Sequence, residues 1–84
     1  MEKLIGKITH YFGKIDVGII KIENGELNIG DTVHIKGHTS DFMQQISSMQ
    51  IEHEQIQKAK KGDDIGIKVD QKVHEHDEVY LVTD

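Results

Sequence analysis

Nineteen of the thirty hydrophobic residues in this 84-residue chain are isoleucine or valine, and a single one, Ala59, is alanine. β-Branched side chains are stiff about χ1 and pack well on a pleated surface, which favours strands over helices. The bias predicts an all-β chain. Eight glycines cut the pattern into short runs, and there is no proline to guard an exposed strand edge. Six or so short strands with closely spaced turns point to a small closed β-barrel, because closure removes the edges. The length fits one domain, residues 1–84. A chain this short buries only roughly 60–65% of its unfolded surface, so its core is thin. With no cysteine, neither a disulfide nor a thiolate zinc site can reinforce it.

Alternation of apolar and polar residues places the strands. The first runs from Lys3 to Phe12, with Leu4, Gly6, Ile8 and Phe12 on one face and Lys7, Thr9 and Tyr11 on the other. After a break at Gly13-Lys14, the second covers Ile15 to Ile22. Asn24-Gly25 marks a turn, and Leu27 and Ile29 lead to another at Gly30-Asp31. The third strand, Thr32 to Lys36, points Val33 and Ile35 inward and His34 and Lys36 outward. The fourth is long, Phe42 to His53, and its apolar phase shifts from even positions (Phe42, Ile46) to odd ones (Met49, Ile51). A period of two cannot hold both sets, so a bulge is expected near Ser47-Ser48. Gln55 to Lys61 reads as a helical turn or a loop. Ile65 to Val69 is a clear strand, Asp70 to Glu78 a charged exposed stretch, and Val79 to Val82 the closing strand. Two segments echo each other: Gly30 to Lys36 and Gly62 to Lys68 both spell Gly-Asp-x-β-x-Ile-Lys, two similar turns feeding strands.

Fifteen acids against ten lysines, with no arginine, leave a net charge of −5. The chain is therefore not a globally basic nucleic-acid binder, and DNA is not an expected partner. Its apolar run Val17-Gly18-Ile19-Ile20 is far short of a signal-peptide core, and further short of the ~20 residues a membrane span needs. A soluble cytoplasmic protein is the expectation.

The ordered motifs carry a family resemblance. Glu23-Asn24-Gly25-Glu26-Leu27-Asn28-Ile29-Gly30-Asp31-Thr32-Val33 resembles the Gly-x-Leu-x-x-Gly-Asp-x-Val hairpin in the second domain of elongation factor Tu-type GTPases. Ile46 to Ile51, and then Ala59 to Ile67, resemble the next part of that domain, and Gly6 and Ile8 sit where its pattern opens. The chain looks most like small translation elongation factor-like proteins. It is also similar to the C-terminal barrel of collagenase-like peptidase-family proteins, some of which modify RNA. The resemblance implies a six-stranded antiparallel barrel in which Gly25, Leu27, Gly30, Asp31, Val33, Gly62 and Asp63 are turn and core positions. No Gly-x-x-x-x-Gly-Lys-Ser/Thr loop is present, so no GTPase activity carries over. Where the family has Gly-Arg-Gly, this chain has Tyr11-Phe12-Gly13-Lys14, so no ligand-contact residue carries over either.

Several side-chain groups invite chemical readings. His74 and His76, alternate residues of an extended segment, point the same way and could bind one metal with His53 or Asp70 as a third ligand; the simpler reading of His74-Glu75-His76-Asp77 is a solvated loop. Asp63 and Asp64 face opposite sides of a strand and suit a turn better than an acid–base dyad. Lys58, Lys60 and Lys61, with Lys36 and Lys68 as neighbours, could contact phosphate, and Tyr11 and Phe12 could stack on bases. Glu52, Glu54, Asp63 and Asp64 counter those lysines, and an ordinary mixed surface is the simpler reading. Asp16 and Ser40 with His38 or His10 contain the residue types of a hydrolytic triad, but six histidines make such trios a matter of chance.

No residue is assigned a catalytic, cofactor-binding or metal-binding role. The leading expectation is a non-enzymatic binding module of translation-factor type, contacting tRNA, rRNA or a protein of the translation or RNA-modification machinery. The alternative is a protein-interaction subunit that completes a larger collagenase-like peptidase or RNA-modifying enzyme, which the acidic charge suits better. A histidine-based metal-binding protein is a third reading.

Overall fold

The computed structural model describes residues 1–83, which form ten β-strands and no helix. In chain order these are β1 (Glu2–Phe12), β2 (Val17–Ile22), β3 (Glu26–Asn28), β4 (Thr32–Lys36), β5 (Asp41–Gln45), β6 (Met49–Ile51), β7 (Glu54–Ile56), β8 (Lys58–Lys60), β9 (Asp64–Lys68) and β10 (Glu78–Val82). Eight make one sheet in the order β5-β4-β10-β1-β2-β9-β6-β7, and β3 pairs with β8 as a separate ribbon. Every pairing is antiparallel. β10 lies between β1 and β4, so the first and last strands are neighbours.

The inward faces meet in one core of Ile5, Ile8, Ile20, Ile22, Ile35, Ile65 and Ile67, with Val33 and Val79 among their partners. Burying a side chain of this kind contributes ~1.5–3 kcal/mol. The ribbon adds Leu27 opposite Ala59, both wholly buried. Alternation in β2, β4 and β9 is as the sequence predicts.

The six-stranded closed barrel is corrected. The sheet is antiparallel and curled around its core, but no ladder joins its edge strands β5 and β7 among the described residues. A side chain ties the β5 side to the far part of the sheet instead. Gln44, only 6% exposed, donates from Nε2 to the Lys68 carbonyl (2.8 Å) and accepts the Asp70 N–H on Oε1 (2.8 Å). There are ten strands because two stretches break further than the pattern indicates. The long fourth strand changes partner where a bulge is expected: β5 pairs with β4, whereas β6 pairs with β9 and β7. The stretch 55–61 supplies parts of β7 and β8 rather than a helical turn or a loop.

The first strand also differs in phase. Its register slips between Leu4 and Gly6 against β10 and between Ile8 and His10 against β2. Ile5 therefore enters the core while Leu4 is 41% exposed, and Phe12 faces out. Gly6 is required there, since a Cβ would stand 2.0 Å from the Lys21 carbonyl oxygen. The charged stretch 70–78 is not wholly exposed, because it buries Val73 and Asp77.

The two echoing segments form the same turn, and a third copy joins them. In Asn28-Ile29-Gly30-Asp31, the Asp31 N–H donates to the Asn28 carbonyl (3.1 Å) and its carboxylate accepts the Asn28 N–H (2.8 Å). Lys60 to Asp63 repeats this at 3.0 and 3.0 Å. His74 to Asp77 repeats it at 3.1 and 2.8 Å. Each turn then clasps a buried isoleucine of another segment through two backbone hydrogen bonds: Gly30 and Asp31 hold Ile46, Gly62 and Asp63 hold Ile22, and His76 and Asp77 hold Ile8. The third residue is left-handed in all three, with φ of 94° at Gly30, 97° at Gly62 and 75° at His76. The three turns feed β4, β9 and β10.

Candidate functional site

Two surface depressions bracket the candidate residues. The first is an open cleft of about 450 Å³ between the β4–β5 loop and the third turn, lined by His38, Thr39, His74, Glu75, His76 and Asp77. The turn chemistry explains how it is built. Asp77 is 3% exposed and held by the His74 N–H. Gly37 makes room for it, since a Cβ there would stand 1.8 Å from Asp77 Oδ1. His74 Nδ1 lies 3.3 Å from both Thr39 Oγ1 and Ser40 Oγ and 3.8 Å from Asp77 Oδ2.

Ser40, His74 and Asp77 are thus close, yet they do not form a relay. A hydrolytic triad needs the serine on one imidazole nitrogen and the carboxylate on the other. Here both approach Nδ1, and Asp77 already serves the turn. The trio of Asp16 and Ser40 with His38 or His10 is not assembled. Asp16 faces the Tyr11 hydroxyl at 3.4 Å, and desolvation, followed by that carboxylate, raises the Tyr11 pKa. His10 packs edge-on against Phe12, with ring centroids 4.4 Å apart, and lies 3.9 Å from Glu75.

His74 and His76 do share the first cleft. Their proposed third ligands do not join them: His53 lines the second depression, and the Asp70 backbone is tied to Gln44. Among the described residues no group of three or more His, Cys, Asp or Glu is placed to hold a metal ion. Asp63 and Asp64 are not a dyad, since Asp63 closes its turn and Asp64 pairs with Lys21 at 3.7 Å. Of the lysine group, Lys58 pairs with Glu26 at 3.1 Å.

The second depression was not visible as a motif. It is a groove of about 280 Å³ on the outer side of the sheet. Phe12 and Ile15, at the tip of the β1–β2 hairpin, form one wall, and Val17, Ile19 and Gly66 form the floor. Glu52, His53 and Asp64 stand on the rim. Its signal in the sequence is β2, where Val17 and Ile19 face outward on a strand whose Ile20 and Ile22 already face the core. One further polar cluster binds strands together. His34 on β4 bridges Glu2 of β1 (Nδ1 to Oε1, 2.9 Å) and Asp41 of β5 through its two ring nitrogens. Hydrogen bonds to Asp41 and then Glu2 raise the His34 pKa, and His34 holds the Asp41 carboxyl below its usual value.

No protein-family model matches the chain. It is 38% identical over 79 residues to an uncharacterised protease of Methanocaldococcus jannaschii, an alignment covering 93% of this chain and 19% of that protein. It is also 38% identical over 77 residues to a collagenase of Porphyromonas gingivalis, covering 90% and 21%. The chain is related to one segment of these longer proteins. That segment spans about a fifth of the length of the curated relatives. Among solved structures, the C-terminal domain of a Geobacillus thermoleovorans protein described as a U32 peptidase superposes with a TM-score of 0.88 at 17% identity, covering 96% of this chain and 93% of that one. Its selenomethionine variant gives 0.86 at 18% identity, with 92% and 96% covered. This chain therefore shares its fold with that C-terminal domain. The translation-factor side of the resemblance draws no support from these matches, and the collagenase-like side does.

Proposed function

We propose that this chain is a non-catalytic docking module of a collagenase- or U32-type enzyme, acting through contact with the larger enzyme body. The observation that carries the reading is the alignment of nearly all of the chain with one-fifth of its curated relatives. The Nδ1 approach of both Ser40 and Asp77 to His74 speaks against a hydrolytic role for the chain's most triad-like group. Within the lysine group, Lys58 is already paired with the Glu26 carboxylate.

Isothermal titration calorimetry tests this reading. The chain is titrated with the remaining four-fifths of the M. jannaschii relative, and separately with bulk tRNA. Saturable one-to-one binding to the enzyme body is expected. Binding to tRNA alone would return the translation-type reading, and binding to neither would overturn the docking role.

A further inference from the structure

We propose that the groove between the β1–β2 hairpin tip and the β6–β7 turn is the docking face, and that it seats an apolar side chain flanked by lysine or arginine from the enzyme body. The inference rests on the docking role given above and specifies its surface and the chemistry of its partner.

The outer face of a strand in an antiparallel sheet is normally polar when water covers it. Here that face is apolar at the start of β2 and at the adjoining hairpin tip. Phe12 is 45% exposed and Ile15 57% exposed, and they stand beside the outward Val17 and Ile19 of β2. Clustered exposed apolar surface of this kind marks interaction sites in soluble proteins.

Gly66 makes the surface concave. It pairs with Ile19 on one side and Gln50 on the other, in the middle of three adjoining strands. A Cβ at Gly66 would meet Val17 and Ile19 at 3.4 and 3.5 Å, which is ordinary contact. The glycine is therefore not needed for packing or for a left-handed backbone. Its missing side chain leaves the groove floor open.

Backbone strain gathers at the same place. Among the described residues four non-glycine residues have positive φ; two of them, Glu52 and His53 in the β6–β7 turn, line this groove, and a third, Asp16, lies between its lining residues Ile15 and Val17. Two consecutive left-handed residues are normally Asn-Gly or Asp-Gly in a two-residue hairpin. A glutamate and a histidine there place two polar side chains on the rim. Strained positions cluster at functional sites.

Size and charge select the occupant. A groove of about 280 Å³ falls below the ~300–1,000 Å³ of small-molecule sites and suits one inserted side chain. Glu52 on its rim, in a chain of net charge −5, favours a cation beside the inserted group, whereas Asp64 is already paired with Lys21. A nucleic-acid backbone would meet the Glu52 carboxylate unfavourably.

Site-directed cross-linking distinguishes this face from the rest of the surface. The chain has no native cysteine, so Ile15→Cys carries a single benzophenone label, with Lys72→Cys as the control outside the groove. Each is irradiated with the remaining four-fifths of the M. jannaschii relative. Position 15 is expected to cross-link to an apolar segment bordered by lysine or arginine, and position 72 is not. Phe12→Glu is expected to weaken binding by roughly tenfold or more, as loss of an interface anchor does, and added salt to weaken it further. Binding that survives Phe12→Glu, with no cross-link from position 15, would overturn the groove while leaving the docking role intact. Absence of any complex would overturn both, and a cross-link only between copies of this chain would make a second copy the occupant and overturn the inference. If the enzyme body is insoluble alone, co-expression provides the same decision. The wild-type chain is expected to bring it into solution and the Phe12→Glu chain is not, and equal rescue by both would overturn the groove.

Discussion

His76 occupies a backbone slot that its two sister turns fill with glycine. Left-handed φ costs an L-residue ~1–2 kcal/mol, and glycine escapes that cost. His76→Gly is therefore expected to stabilise the protein by about 0.5–1 kcal/mol, part of the relief being offset by glycine's larger unfolded-state entropy. The converse changes make a clean comparison, because a Cβ at Gly30 or Gly62 would meet nothing within 4 Å. Gly30→Ala and Gly62→Ala should each cost about 1 kcal/mol from backbone conformation alone. Urea midpoints of the three variants check this, and a destabilised His76→Gly chain would show that the imidazole makes contacts outweighing the strain. The sequence disclosed the first two turns because both spell Gly-Asp. The third was concealed by the histidine, although Asp77-Glu78-Val79-Tyr80-Leu81 repeats the pattern of aspartate followed by alternating apolar residues. The His74–Asp77 segment therefore read as a ligand cluster when its aspartate is a turn-closing group.

Strand identity was legible wherever alternation persisted within one ladder, as in β2, β4, β9 and β10. It failed where a strand changes partner. The phase shift after Ile46 was real, but periodicity within one segment says nothing about which neighbour it joins, and a bulge and a change of ladder look alike. The same limit hid β8, whose partner β3 lies in a distant segment, while β7 was hidden because its hairpin with β6 turns on Glu52-His53 in place of an Asn-Gly signal. The groove was hidden for a related reason, because Phe12, Val17, Gly66 and Glu52 come together only through the β1-β2-β9-β6 order. His34 shows how a single side chain joins elements, linking β1, β4 and β5. Its folded pKa is raised above 6.5, so its stabilisation is fully present below that value and is lost as pH rises through the folded pKa. Asp41 contributes with the opposite sign: its pKa is lowered from 3.8, so its share is present above that value and is lost as pH falls through the folded pKa. The bridge is thus strongest between about pH 4 and 6.5. Wild-type thermal stability is expected to decline from pH 6 towards pH 8.5 more steeply than that of His34→Gln, as followed by circular dichroism melts. Parallel profiles would remove the bridge as a source of the pH dependence.

At the scale of the whole molecule, the sheet depends on a strand from the far end of the chain. β10 separates β4 and β5 from the other five strands of the sheet, and no disulfide reinforces the seam. Removing residues 78–84 is expected to abolish cooperative unfolding altogether, because the buried Val79 and the ladders to both neighbours go together. A truncated chain with a sharp thermal transition would show instead that the two parts of the sheet are stable separately. The all-β class followed from composition, but this dependence did not, since it lies in strand order. It has a consequence for biosynthesis. A ribosome releases β4 and β5 well before the strand that joins them to β1, with β6 to β9 synthesised in between. Until β10 emerges, the facing edges of β1 and β4 carry unpaired backbone groups, which makes the nascent polypeptide a natural client for factors that shield exposed strands.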